Sequence, residues 1–94
     1  MVDKESIKVK VHGHVQGVYF RNYTSLKARE LGLNGYVKNL PGGKTVEICA
    51  EGELDKLNKL ISDLRIGPPG AIVEKLDIEN SNYSGNYKSF NIKH

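Results

Sequence analysis

Between Gly13 and Arg21 the chain reads Gly13-His14-Val15-Gln16-Gly17-Val18-Tyr19-Phe20-Arg21. Glycines at 13 and 17 permit backbone conformations that turn several N–H groups toward one concave side. If a helix starts at Phe20, its first N–H groups lack intrahelical acceptors and the positive end of its dipole faces the same spot. Arg21, in the first turn of that helix, adds a planar fork of donors. Together these groups suit a small dianion, above all a phosphate.

A second polar residue stands out at Asn39, near the end of Gly35-Tyr36-Val37-Lys38-Asn39. Asparagine is disfavoured in strands, and its amide both donates and accepts, which suits the orientation of a water molecule. Other reactive side chains lead nowhere as specific. His12 and His14 form an H-x-H pair, but two ligands are too few for a metal site, and surface or loop packing is the better reading. Cys49 has no base beside it in sequence and reads as a small strand residue. Tyr19 and Tyr23 either flank a substrate or pack around the first helix.

The elements that must position these residues are legible from periodicity. Ile7, Val9 and Val11 alternate with Lys8, Lys10 and His12, as a half-buried strand requires. The lysines form its wet side, with a mild attraction for anions. Phe20, Thr24, Ala28 and Leu31 recur at helical spacing, and Gly32 supplies a stop. Leu33 to Leu40 and Thr45 to Glu51 form a hairpin around Pro41-Gly42-Gly43-Lys44. Glu53 to Leu64 is a second amphipathic helix with Leu54, Leu57, Leu60, Ile61 and Leu64 on one stripe. After Gly67-Pro68-Pro69-Gly70, Ala71 to Glu79 reads as a fourth strand. Asn80 to Tyr87 is polar and turn-rich, and Ser89 to Ile92 is a candidate short edge strand. The order β-α-β-β-α-β predicts a ferredoxin-like α+β sandwich: an antiparallel sheet with two helices on one face and a possible short fifth strand.

The 94 residues amount to one small domain, 1–94, with a net charge of +3 and both signs spread along the chain. That balance tolerates an anionic ligand but lacks the clustered basic face of a nucleic-acid binder. One cysteine excludes an intramolecular disulfide. The polar start, Met1 to Ser6, has no apolar signal core, and no apolar run reaches membrane-spanning length. The expectation is a cytoplasmic protein with neither membrane nor nucleic-acid partners.

Two long motifs in register carry a family resemblance. The first is the stretch from Gly13 to Arg21. The second is Leu31-Gly32-Leu33-Asn34-Gly35-Tyr36-Val37-Lys38-Asn39. With Gly67-Pro68 and the closing Phe90-Asn91-Ile92, the chain resembles the acylphosphatase family over nearly its whole length. Tyr36 stands where many members have tryptophan, the hairpin is one residue longer than a common form, and Lys93-His94 replaces a frequent aromatic ending. The resemblance implies hydrolysis of the carboxyl-phosphate bond of acyl phosphates by a monomeric, metal-independent hydrolase without cofactors. It also implies roles: Arg21 binds the phosphoryl group, Asn39 positions the attacking water, and the amides of Gln16, Gly17, Val18, Tyr19, Phe20 and Arg21 cradle phosphate oxygens. Inorganic phosphate is then both product and expected inhibitor.

Competing readings are weaker. RNA-recognition domains share the element order but stack bases on aromatics of their first and third strands. Here Ile7 to His12 and Thr45 to Glu51 contain no Tyr, Phe or Trp. A nucleotide P-loop needs Gly-Lys-Ser/Thr, which does not follow these glycines. A stand-alone phosphate- or carbamoyl-phosphate-binding domain, of the kind found within larger maturation proteins, is disfavoured because no further domain accompanies it.

Overall fold

The computed structural model describes residues 3–94; Met1 and Val2, the start of the polar N-terminal stretch, lie outside it. Seven elements follow one another: β1 (Lys4–His14), α1 (Phe20–Glu30), β2 (Asn34–Asn39), β3 (Thr45–Glu53), α2 (Leu54–Ile66), β4 (Ile72–Asn82) and β5 (Phe90–Lys93). They form one five-stranded sheet in the order β4-β1-β3-β2-β5. β3 pairs antiparallel with both β1 and β2, so β1 and β2 run parallel and α1 is their crossover. By the same argument α2 is the crossover between β3 and β4, whose common partner is β1. Two such interleaved crossovers make the ferredoxin-like sandwich.

The alternation in β1 is realised: Ile7, Val9 and Val11 are buried while Lys8 and Lys10 are exposed. Their cross-strand partners Val46, Ile48 and Ala50 share the buried face. The helices close over it with Phe20 and Ala28 from α1 and with Leu57, Leu60 and Leu64 from α2. Ile61 packs at the margin of this core. α1 stops as expected at Gly32. The N–H of Gly32 donates to the Arg29 carbonyl at 3.1 Å, and that of Leu33 to the Ala28 carbonyl at 2.9 Å.

Two expectations need correction. The sheet is not wholly antiparallel, because β5 pairs parallel with β2. The polar stretch after Glu79 does not turn at once, because β4 continues to Asn82 and keeps its pairing with β1, Glu5 opposite Asn82. Both follow from one feature. β4 and β5 occupy opposite edges of the sheet, so residues 83–89 must cross it as a strap. The strap runs over the face opposite the helices. There the Glu51 carboxylate accepts hydrogen bonds from the Ser84 N–H at 3.0 Å, the Ser84 hydroxyl at 2.6 Å and the Gly85 N–H at 3.0 Å. Further along, the Tyr87 hydroxyl reaches the Cys49 sulfur at 3.7 Å and its ring packs against Tyr36. Beneath this cover the Tyr36 hydroxyl donates to Glu47 at 2.9 Å, and burial followed by that carboxylate pushes the Tyr36 phenol far up. The strap explains why Glu47, Cys49 and Glu51 are buried although they sit on the outer face.

Burial raises the Glu51 carboxyl, but the hydrogen bonds from Ser84, Gly85 and Ser6 outweigh it and hold the group below its ordinary value of 4.5. A carboxyl lowered by folding stabilises the fold fully above about pH 4.5 and loses that contribution as pH falls through its folded value. We expect Glu51→Ala to cost about 1–3 kcal/mol at neutral pH, because two backbone donors lose a charged acceptor. The gap between variant and parent should close on acidification, as read by urea unfolding at pH 7 and pH 3.

Candidate active site

Near its end β1 carries a register shift between His12 and Gly13 in the pairing with β4, and the pairing resumes with Gly13 opposite Val73. Gly13 has φ 137°, and a side chain there would collide with the Ile72 carbonyl. Gly17 has φ 74° with open space around it, so its requirement is purely conformational. Tyr19 has φ 60°, the one non-glycine residue with positive φ among the described residues. A left-handed aromatic residue stores roughly 1–2 kcal/mol of strain. The contacts on either side of Tyr19 hold the loop turned into α1 against that cost.

The loop is held from the side as well. The Gln16 amide donates to the carbonyls of Leu40 and Thr45, both at 2.9 Å, and so ties the loop to the β2–β3 hairpin. Gly13 adds a backbone bond to the Lys44 carbonyl at 3.0 Å. In contrast, among the described residues, the N–H groups from Gln16 to Arg21 have no backbone acceptor. α1 also begins without a capping side chain and without an acidic residue in its first turn. The loop and helix start therefore present a set of free donors with the dipole's positive end behind them.

The loop and helix start border a cavity of about 450 Å³ lined by Val15, Gly17, Tyr19, Phe20, Arg21, Asn22, Asn39, Ile92 and His94. Arg21 reaches it from the first turn of α1 and Asn39 from the end of β2. Asn39 pairs with Val46, so its side chain lies on the helix side of the sheet, whereas Lys38 lies on the strap side. β5 supplies the remaining wall. Its parallel register with β2 ends with Lys93 opposite Lys38, which leaves His94 just beyond, at the level of Asn39. The Arg29 guanidinium fastens this strand to α1 through the Phe90 carbonyl at 3.0 and 3.2 Å.

Of the residues singled out from the sequence, Gly17, Tyr19, Phe20, Arg21 and Asn39 meet at this cavity. Gln16 and Val18 do not line it: Gln16 grips the hairpin and Val18 packs against the core. Tyr23 is an anchor between helices, its hydroxyl donating to the Asp63 carbonyl at 2.8 Å. Burial and then Asp63 raise its phenol. Tyr19 instead stands 79% exposed at the cavity rim. His12 is engaged by Thr45 at 3.2 Å and by Asp77 at 2.9 Å. Its bond, and then Lys75, lower the Asp77 carboxyl. No three His, Cys, Asp or Glu side chains gather among the described residues as a metal ion would require. Asn22, Ile92 and His94 were not legible as site residues. The only available signal was the departure from an aromatic ending at Lys93-His94, because the parallel seating of β5 leaves no local pattern.

The profile of the family described as Acylphosphatase matches residues 7–92. The chain belongs to the acylphosphatase family. It is similar to the acylphosphatase of Dehalococcoides mccartyi, 47% identical over 88 residues that cover 94% of this chain and 97% of the relative. Its fold superimposes on an acylphosphatase from Coxiella burnetii with a TM-score of 0.90 at 40% identity, covering 97% and 94% of the two chains. It also superimposes on the acylphosphatase from Bacillus subtilis with a TM-score of 0.92 at 31% identity, covering 96% and 99%. As a member of the acylphosphatase family it is a hydrolase whose substrates are small acyl phosphates. No helix of the described residues is long and apolar enough to cross a membrane.

The Gln16 clamp generates a prediction. Gln16→Ala should lower stability by about 1–3 kcal/mol, because the partly buried Leu40 carbonyl loses its Gln16 donor and the Thr45 carbonyl keeps only the Leu40 N–H. Gln16→Glu should be worse than Gln16→Ala at pH 7, because a carboxylate cannot donate and would face two carbonyl oxygens. Urea unfolding of the three proteins at pH 7 checks the order.

Proposed function

We propose that the chain hydrolyses acyl phosphates by holding the phosphoryl group in the Gln16–Arg21 amide loop and aligning a water on it with Asn39. The observation that carries this reading is the coincidence, in one cavity, of Arg21, Asn39 and a loop whose N–H groups have no backbone acceptor. The Arg21 fork supplies paired donors to the equatorial oxygens of the phosphoryl group, a geometry that a lysine cannot reproduce. Asn39 accepts from the water with its carbonyl oxygen and directs the water's lone pair at phosphorus.

The substrate makes this economy sufficient. An acyl phosphate is a mixed anhydride. The water oxygen forms the new bond to phosphorus, the bond from phosphorus to the acyl oxygen breaks, and its electron pair leaves on a carboxylate. A carboxylate is a weak base and departs without a strong general acid. Positioning and charge stabilisation then carry the rate. The products are a carboxylate and inorganic phosphate. The same reading takes residues 1–94 as one domain acting as a monomer in the cytoplasm. One continuous apolar core and a lone buried thiol at Cys49 support it.

Inorganic phosphate should inhibit competitively at constant ionic strength; a titration into high millimolar phosphate without competition overturns the cradle. Activity should survive EDTA, and kcat should vary little between moderately acidic and neutral pH, because neither Arg21 nor Asn39 changes charge there. A bell-shaped kcat profile would place an acid–base pair in the site instead.

The two side chains separate kinetically. Arg21→Lys should weaken both phosphate affinity and turnover. Asn39→Ala should lower kcat by about a hundredfold or more, the equivalent of roughly 3 kcal/mol in the barrier, while phosphate inhibition stays closer to the parent value. The measurements are kcat, KM and a phosphate inhibition constant for each variant after circular dichroism has shown it folded. Near-normal kcat in Asn39→Ala, or an unaffected Arg21→Lys, removes the assigned roles.

A further inference from the structure

Two tyrosines flank the start of α1, and only one of them has a place in the packing. Tyr23 holds the Asp63 carbonyl through its hydroxyl, its ring centre stands 6.0 Å from that of Phe20, and Lys27 lies over its face at 5.6 Å. Tyr19 stacks on no ring and under no cation among the described residues. It is the most exposed of their large apolar side chains. The other exposed ones, Leu26, Ile66, Ile72 and Tyr83, stand away from the cavity of Arg21 and Asn39, whereas Tyr19 borders it.

The turn itself does not ask for an aromatic residue. At φ 60° and ψ 22° glycine is unstrained and asparagine nearly so. A tyrosine adds strain to the loop and returns no buried area to the core. Strain that packing does not explain is a mark of ligand-binding positions.

The cavity is also larger than the chemistry so far assigned to it. Its 450 Å³ falls within the range of sites for whole small molecules, about 300–1,000 Å³. A phosphoryl group and one water, the latter about 30 Å³, leave much of it unfilled. In-line displacement sends the leaving acyl oxygen to the side of phosphorus opposite the water. Arg21, Asn39 and the loop amides serve the phosphoryl group and the water, and His94 is engaged with Arg21 at 3.2 Å. The apolar part of the wall remains for the acyl group. Val15 and Phe20 are sunk in the core, Ile92 is partly covered, and the ring of Tyr19 has free surface.

We propose that Tyr19 is the specificity-determining contact for the acyl group, and that it favours planar, aromatic acyl phosphates over the acetyl compound. A free ring face takes a second ring offset or edge-on, a contact that a methyl group cannot match. The inference rests on the phosphate reading of Arg21 and adds the class of acyl group that the site selects. The contact is made before and during the chemical step alike, so it belongs to KM and leaves kcat for the aromatic substrate to the groups around phosphorus.

The test is the ratio of kcat/KM for benzoyl phosphate to that for acetyl phosphate. Any disturbance of the amide loop to which Tyr19 belongs acts on both substrates and cancels in the ratio. Tyr19→Ala and Tyr19→Gly should each lower the ratio about threefold to tenfold, through a higher KM for benzoyl phosphate. Tyr19→Phe, which keeps the ring, should keep the parent ratio. Tyr19→Gly also removes the backbone strain, so equal ratios in the glycine and alanine variants assign the effect to the ring and not to the shape of the loop. An unchanged ratio in both variants overturns the proposal. So does an equal loss on both substrates, which would leave Tyr19 a purely structural residue, and so does a Tyr19→Phe ratio as low as that of Tyr19→Ala. A parent that hydrolyses both substrates, is inhibited by inorganic phosphate and has a ratio insensitive to Tyr19 defeats this inference alone. A parent that hydrolyses neither, or that phosphate does not inhibit, defeats it together with the phosphate reading.

Discussion

The site depends on a constraint imposed from outside it: the loop after β1 is kept from satisfying its own amides. A free chain segment would fold its N–H groups onto nearby carbonyls. Here the bulge at Gly13, the left-handed Gly17 and Tyr19, and the two bonds from Gln16 to the hairpin hold the backbone where no carbonyl is available. The hairpin that receives Gln16 is the same one that ends β2 at Asn39. One side chain therefore fixes the position of the donor loop relative to the water-aligning residue. The clamp acts through geometry alone, since Gln16 is absent from the cavity wall.

Electrostatics in the cavity follow from what the fold omits. Arg21 enters from the first turn of a helix that has no acidic residue there, and no Asp or Glu is among the cavity's lining residues. Three carboxylates on the outer face of the sheet are engaged there. Glu51 holds the strap, Glu47 answers Tyr36 and Lys38, and Asp77 answers His12 and Lys75. Opposite charge is thus used on the outer face of the sheet, and the helix-side cavity keeps its donors free for a ligand.

The fold was legible because its determinants are local. Alternation at Ile7, Val9 and Val11, the leucine stripe of the second helix and the glycine stop at Gly32 each write an element into a few neighbouring residues. Arg21 and Asn39 were legible as a pair only through the two linked motifs, since either alone reads as an ordinary surface residue. The rest was written at long range. The parallel pairing of β5 and the burial of Glu51 beneath Ser84 and Gly85 have no periodicity to betray them. The same holds for His94 against Arg21. Gln16 shows the converse. Its place in the motif was plain, but its side chain serves the hairpin, a partnership that depends on tertiary contact.

The crossing of residues 83–89 over the sheet has a kinetic corollary. Arg21 and His94 are 73 positions apart, and β1 pairs with β4 over a comparable distance along the chain. Such closures lose chain entropy before contacts repay it, so folding belongs to the slower range typical of domains rich in non-local pairing. A partly folded chain could carry the glycine loop and α1 and still have no fifth strand beside them. Because Ile92 and His94 are among the walls, a refolding chain has the whole anion cavity only once β5 has docked beside β2, however early its helices form.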